Sequence, residues 1–293
     1  MQVREKSVPL QKKEIMRVIC DAPGQTCNRL WTYVASIAQC IAEHKRMVII
    51  FFDWTIEDFP NLLHCPFIYF PLWQPWFLKL PKGWGWYKHL TWKVTHNKIW
   101  DKVFLYLGFT KGWNTRTDIR YIKQTLPELK RIFRPNDVIM NKAERIISEI
   151  RQTSDIIIGV HIRRGDYATW NNGQFFYTLE EYRLFMLKIK ELYKDKKVSF
   201  FISSNEDFSL DTFKECNCYR FGVEPSGAIL DLYTMSLCDR IIGPFSSYSR
   251  WASFIGEVPI CFLETKNQQL REDSFSTIVD FFHFENGKEI FDW

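Results

Sequence analysis

Several stretches of this chain are apolar almost without interruption over the length of a β-strand: Met47–Phe52, Ile156–Ile162, Val198–Ile202 and Val258–Leu263. Strands with one wet face alternate apolar and polar residues. Continuous runs mark strands covered on both faces, as in a parallel sheet flanked by helices. Glu14–Cys20 and Arg240–Gly243 read as two more buried strands. Between the runs lie helical patterns: about Leu30 to His44, Glu144–Ile150, a helix from Thr178 to about Lys194, about 228–238, and one from Ser247. Thr178-Leu-Glu-Glu181 opens its helix with a capping box. Strands alternating with helices at this spacing predict βαβ units. The expectation is an α/β protein of two Rossmann-like halves, 1–150 and 151–293, with ligand at the C-terminal ends of the strands. Residues 60–120 interrupt the pattern, with prolines at 60, 66, 71, 75 and 81.

Length and composition agree with that plan. The chain has 293 residues, enough for two domains of roughly 150 residues each. A hydrophobic fraction of 46% and a charged fraction of 25% exclude disorder, collagen-like repeats and a coiled coil. The 39 basic against 34 acidic residues leave a net charge of +5, which gives no argument for nucleic acid. No segment reaches the roughly 18 to 20 apolar residues of a membrane span. Met1–Lys13 is polar and lacks the apolar run of a signal peptide. The eight cysteines are therefore expected as reduced thiols in a cytoplasmic protein. Cys216 and Cys218 have neither zinc-ribbon nor redox spacing.

Polar residues collect where the predicted strands end. His161-Ile-Arg-Arg-Gly-Asp166 follows a fully apolar strand with an imidazole, two guanidiniums and a carboxylate. Adjacent arginines at a strand end suit a diphosphate, because the planar fork matches phosphate oxygens and stays charged. The plainer alternative is a salt-bridged loop in which Asp166 pairs with an arginine and His161 fills a polar core position. A second cluster, Gly243-Pro-Phe-Ser-Ser-Tyr-Ser-Arg-Trp251, places Ser246 and Ser247 between a strand and a helix. They suit a phosphate, or simply cap the helix. Asp231, among Ile229, Leu230 and Leu232, either holds the N–H groups of a base or pairs locally. The chain has no P-loop, no Gly-x-Gly-x-x-Gly and no His-Glu-x-x-His. Nor has it an Asp-x-Asp, so arginines rather than a metal ion would neutralise a diphosphate leaving group.

Gly-Val-His-Ile-Arg-Arg-Gly-Asp-Tyr (159–167) resembles the signature of the bacterial-type α-1,2-fucosyltransferase family and its wider superfamily. Gly24-Gln-Thr-Cys-Asn-Arg-Leu30 is similar to the family's N-terminal Gly-x-Gly-Asn-Gln/Arg-Leu loop, with Thr26 and Cys27 where Leu-Gly is common. Asp231–Asp239 and Gly243–Ala252 are similar to its last donor-binding block. The family often shows paired aspartates after the strand ending at Ile202, where this chain has Asn205 and Glu206. The resemblance implies a GT-B-like fold of two facing Rossmann-like domains, GDP-fucose as donor, a glycan acceptor, inversion, and no metal or other cofactor. By position it implies that Arg163 binds the β-phosphate and Arg164 supports it. His161 and Asp231 would lie on the guanine or ribose side, Ser246 and Ser247 near the diphosphate, and Asn28 and Arg29 would reach the donor from the first domain. Asp166 is the candidate base or orienter, with Asp21 and Glu206 as rivals.

One segment stands apart. Trp73 to Trp113 holds seven of the twelve tryptophans and seven lysines against a single acid, Asp101. Trp with Lys suits an anionic membrane interface, which makes the insert a candidate for docking on the inner leaflet where lipid-linked glycans are assembled. An acceptor platform and the core of the first domain with a lysine-rich solvated face are the other readings.

Overall fold

The computed structural model describes residues 15–19, 24–49, 54–70, 99, 109–110, 120–221, 227–277, 283–285 and 288–290. The chain divides into two compact units. One comprises Met1–Glu57 and Asn61–Ile132, the other Asp58–Pro60 and Phe133–Trp293. The Trp- and Lys-rich insert, apart from Ile99 and Phe109–Thr110, lies outside the described residues, as does Asp21.

The first unit contains β1 (Ile15–Ile19), α1 (Thr26–Ala42), β2 (Arg46–Ile49), β3 (Ile68–Tyr69), β4 (Phe109–Thr110) and α2 (Arg120–Ile132). Its strands pair in the order β3-β2-β1-β4, all parallel. Helix α1 begins four residues before the expected Leu30, because the turn is completed by Gly24 at φ 53°. It stops where His44 takes the left-handed conformation (φ 53°) and the Lys45 N–H returns to the Cys40 carbonyl at 3.0 Å. Leu30, Tyr33, Val34, Ile37 and Ala38 are buried along it, and so are Ile122, Leu129 and Ile132 of α2, the helix it packs against.

The second unit contains α3 (Asp137–Arg151), β5 (Ile156–Ile162), α4 (Leu179–Leu192), β6 (Val198–Ser204), β7 (Asn217–Tyr219), α5 (Gly227–Met235), β8 (Arg240–Gly243), α6 (Ser247–Gly256) and β9 (Ile260–Phe262). The strand order is β7-β6-β5-β8-β9, every pair parallel. Both faces of β5 are covered. Ile156, Ile158, Val160 and Ile162 pack with Tyr177, Tyr182, Phe185 and Phe200 in one core layer. Each such buried side chain contributes about 1.5–3 kcal/mol. On the opposite face Gly159 leaves room for α5, since a Cβ there would stand 2.8 Å from Met235 Cγ. Thr178 Oγ1 accepts from the Glu181 N–H at 3.2 Å and the Glu181 carboxylate accepts from the Thr178 N–H at 2.7 Å, the capping box read from the sequence.

The units divide after Ile132, whereas the sequence reading drew the boundary near 150. Helix α3 accounts for the difference. It buries Ile139, Ala143, Ile146 and Ile150, packs on α5, and its Arg151 pairs with Asp239 at 2.7 Å. Asp239 in turn accepts the Ile157 N–H of β5 at 2.7 Å. A helical pattern by itself does not say against which sheet its apolar stripe is buried.

Candidate active site at the C-terminal edge of the second sheet

From β5 one connection leads to β6 on one side, while β8 pairs on the other. Strand order reverses there, and in open α/β sheets such a switch point is where a ligand crevice is expected beyond the strand ends. The loops that emerge carry His161 to Asp166, and Phe245 to Ser247. Gly243 brings the two strands close: a Cβ would stand 2.8 Å from His161 Cβ and 3.0 Å from its carbonyl oxygen.

The arginine loop is fixed at several points. The Arg163 N–H donates to Tyr182 Oη at 3.3 Å, and the Arg163 guanidinium pairs with Asp166 at 2.9 Å. The Arg164 N–H donates to Asn205 Oδ1 at 3.2 Å, and the Gly165 N–H to Glu206 Oε1 at 2.7 Å. Glu206 also lies 3.6 Å from the Arg164 guanidinium. Gly165 sits at φ 40°, a left-handed conformation that a side chain resists. Asn205 and Glu206, where the resemblance leads one to look for aspartates, thus hold the loop that carries the arginines. Tyr167 is buried and donates to the Phe245 carbonyl at 2.7 Å, tying the β5 loop to the β8 loop.

The other half of the crevice is buried. His161 is 4% exposed, its ring 4.9 Å from that of Tyr248, and Nδ1 has no hydrogen-bond partner among the described residues. Burial, reinforced by the positive charge of Arg163, pushes its pKa down to about 3, so the imidazole is neutral. Asp231 on α5 hydrogen-bonds Ser203 at the end of β6. Burial raises its pKa to about 7, outweighing the Ser203 hydroxyl and the charge of Arg220. Ser203 Oγ lies 3.2 Å from Tyr248 Oη, which donates to the Ala228 carbonyl at 2.8 Å. His161, Tyr248, Ser203 and Asp231 therefore form one connected group.

Ser246 is the N-cap of α6, accepting from the Tyr248 N–H at 3.2 Å. The capping alternative holds for that hydroxyl, and Ser247 begins the helix beside it. Asn28 and Arg29 lie in the first turn of α1, in the first unit, with Arg29 donating to the Gly24 carbonyl at 3.0 Å.

Two arginines that the sequence reading did not single out belong to this half of the molecule. Arg220, just past β7, stacks on Phe208 at 4.4 Å and binds Asp207 at 3.1 Å and the carbonyls of Phe208 and Glu206. Arg250 is 4% exposed, lies 3.9 Å from the Phe245 ring centroid, and has its pKa pushed down to about 10 by burial.

The family description that matches this sequence is glycosyl transferase family 11, over residues 109–277, more than half of the chain. The chain belongs to glycosyl transferase family 11. No curated protein matches the sequence. Among solved structures, this family 11 chain is similar to a mutant of Arabidopsis thaliana FUT1 in complex with GDP, at 13% identity and TM-score 0.53, covering 91% of this chain and 74% of that one. It is also similar to NodZ α-1,6-fucosyltransferase soaked with GDP-fucose, at 15% identity and TM-score 0.53 over 88% of this chain and 98% of that one; NodZ comes from Bradyrhizobium. POFUT1 in complex with GDP-fucose is a third, at 12% identity and TM-score 0.50 over 85% of this chain and 95% of that one. At these identities the likeness establishes the fold: α/β units with parallel sheets, the GT-B-like class expected from the sequence.

Proposed function

We propose that this family 11 chain transfers fucose from GDP-fucose to a glycan hydroxyl, forming an α-1,2 bond to galactose with inversion and without a metal ion. The observation that carries this reading is the pair Arg163 and Arg164, held on a rigid loop at the strand-order switch point of the second sheet. The structural relatives bound to GDP and GDP-fucose supply the donor class.

In an inverting transfer the acceptor oxygen attacks the anomeric carbon while the bond to the β-phosphate oxygen breaks. The electron pair goes to the phosphate, the hydroxyl proton to a base, and GDP leaves. Arg163 is assigned to the developing phosphate charge and Arg164 supports it. One such preorganised donor contributes roughly 3–4 kcal/mol. Ser246 and Ser247 stand at the N-terminus of α6, which favours anions. Asn28 and Arg29, on the first unit, keep the donor-binding assignment that the family resemblance gives them.

Asp166 is the base or orienter in this reading. Its partner Arg163 exchanges the carboxylate for the diphosphate, which releases Asp166 for the acceptor hydroxyl. Glu206 suits that role less well, because it already accepts the Gly165 N–H and pairs with Arg164. His161 and Asp231 are assigned to the nucleoside: an ionised Asp231 would accept two N–H groups of guanine, which neither uracil nor adenine offers in that arrangement.

The acceptor in this reading is an oligosaccharide or a lipid-linked glycan. The location is cytoplasmic, with peripheral contact to the inner leaflet through the Trp- and Lys-rich insert. No helix among the described residues is long and apolar enough to cross a membrane. Co-sedimentation with anionic liposomes at low salt tests the membrane contact.

Calorimetric titration with GDP, UDP and ADP in the absence of divalent metal tests the donor site. GDP-selective binding that collapses in Arg163→Ala is the expected result. A preference for UDP would retain the transferase and remove fucose. If no nucleotide binds, the GDP-fucose assignment falls and the non-catalytic binding-module reading gains support.

A further inference from the structure

The loop between β5 and α4 does more than present arginines. Beyond Tyr167 it runs outward through Trp170, a large aromatic left 45% exposed. That indole is backed by a chain of rings. It lies 4.8 Å from Tyr167 and 5.7 Å from Phe175, Phe175 lies 6.0 Å from Phe245, and Phe245 lies 4.9 Å from Phe262. Arg250 closes the inner end against Phe245 at 3.9 Å. One part of the Trp170 surface is thus fixed by packing, while the rest meets solvent.

The backbone after Trp170 turns through the left-handed region at residue types that adopt it readily. Asn171, Asn172 and Gly173 have φ values of 48°, 56° and 74°, three left-handed residues in succession. At Gly173 a Cβ would stand 3.1 Å from the Ala168 carbonyl oxygen. Both asparagines next to Trp170 in sequence are exposed, and the Asn171 amide donates to Gln174 at 2.8 Å.

We propose that Trp170 is an acceptor subsite whose solvent-exposed part packs on the apolar face of a β-galactopyranose, with the amides of Asn171 and Asn172 serving its hydroxyls. The inference deepens the fucosyltransferase reading and rests on it. The chemistry selects the sugar. The axial 4-hydroxyl of galactose leaves C3–H, C4–H and C5–H together on one side of the ring. Those hydrogens carry partial positive charge, and an indole face is negative. Glucose lacks C4–H on that side, its axial hydrogens there being those of C1, C3 and C5, so the two sugars present different patches. Position agrees as well, since Trp170 stacks on Tyr167, the residue after Asp166, and Arg163 lies 5.7 Å from that same Tyr167 ring. A sugar on Trp170 is therefore continuous with the loop assigned to the donor phosphate and the base.

The test is saturation-transfer NMR with methyl β-galactoside and methyl β-glucoside on the GDP-loaded protein, for wild type, Trp170→Phe and Trp170→Ala. Calorimetric GDP binding of each variant is the control for folding. The expected result is transfer strongest at galactoside H3, H4 and H5, kept in Trp170→Phe. In Trp170→Ala it weakens about tenfold, while GDP affinity stays within about twofold. Absence of galactoside signal in the wild type overturns the proposal, and so does an undiminished signal in Trp170→Ala. Should GDP fail to bind the wild type, the donor reading falls. Galactoside binding that depends on Trp170 would still support the sugar face.

Discussion

The two sides of the strand-end cluster in the second sheet handle charge in opposite ways. On the arginine side, each guanidinium is paired with a carboxylate that an anion can replace: Asp166 for Arg163, Glu206 for Arg164. Asp166 is 57% exposed by its side chain, so water screens the pair and exchange is cheap. On the histidine side, burial suppresses charge instead. His161 is neutral and Asp231 holds its proton up to about pH 7. A ligand with a charged end and a polar, uncharged end matches that division. In the proposed reading, the phosphate would meet the paired arginines, and the nucleoside would meet an Asp231 that becomes charged only when N–H donors arrive.

The largest way to break this contrast is Arg163→Ala. Turnover of GDP-fucose is expected to drop roughly a hundred- to thousand-fold, from the loss of about 3–4 kcal/mol of transition-state stabilisation. Steady-state kinetics with a galactoside acceptor measures it, and a change under tenfold would remove Arg163 from the leaving-group role. Next comes Gly243→Ala, which forces a methyl group against His161. Overpacking of this kind costs about 1–3 kcal/mol. Urea unfolding should show it, with GDP affinity falling as well; an unaltered midpoint would mean that the two strands have slack.

Titration sharpens the comparison. Below about pH 7 Asp231 is protonated and cannot accept from two N–H groups, so GDP affinity should fall by up to about tenfold per pH unit. Asp231→Asn should flatten that profile relative to wild type, and parallel profiles would place the guanine elsewhere. The same two groups give stability opposite slopes. His161 resists a proton that the unfolded chain takes up, so its contribution is lost as pH falls from 6.5 toward about 3. Asp231 binds a proton more tightly when folded, so its contribution is lost as pH rises from 3.8 toward about 7. Melting curves of His161→Gln and Asp231→Asn across that range separate them.

The smallest effect on GDP affinity belongs to Asp166→Ala. Freeing Arg163 from an exposed ion pair worth about 0.2–1 kcal/mol should leave GDP affinity equal or a few-fold tighter. Turnover should nevertheless fall if the carboxylate takes the acceptor's proton. Tighter GDP binding with undiminished kcat would make Asp166 a counter-ion only.

The second sheet was largely legible because its strands are buried on both faces, and that burial writes itself as Ile156–Ile162, Val198–Ile202 and Arg240–Gly243. The capping box at Thr178 and the cap at Ser246 were legible because they depend on residues within one turn. The short strand β7 was missed: Asn217-Cys-Tyr carries no apolar run and pairs only at the sheet edge. Arg220 was missed for the same reason, since its surroundings at Phe208, Asp207 and Glu206 exist only once β7 is placed beside β6. Arg250 lay within a quoted motif, yet nothing local says that a guanidinium will be buried against Phe245. The direction of a pKa shift is likewise a property of the covered sheet and not of the motif His161–Asp166.

Strand β5 is hydrogen-bonded along both edges, to β6 over seven residues and to β8 over three. Its amides should therefore be among the last in this unit to exchange with deuterium, opening only with the whole unit. The arginine loop hangs from that strand. Its direction is consequently settled during folding, and little ordering entropy remains to oppose a ligand when it arrives.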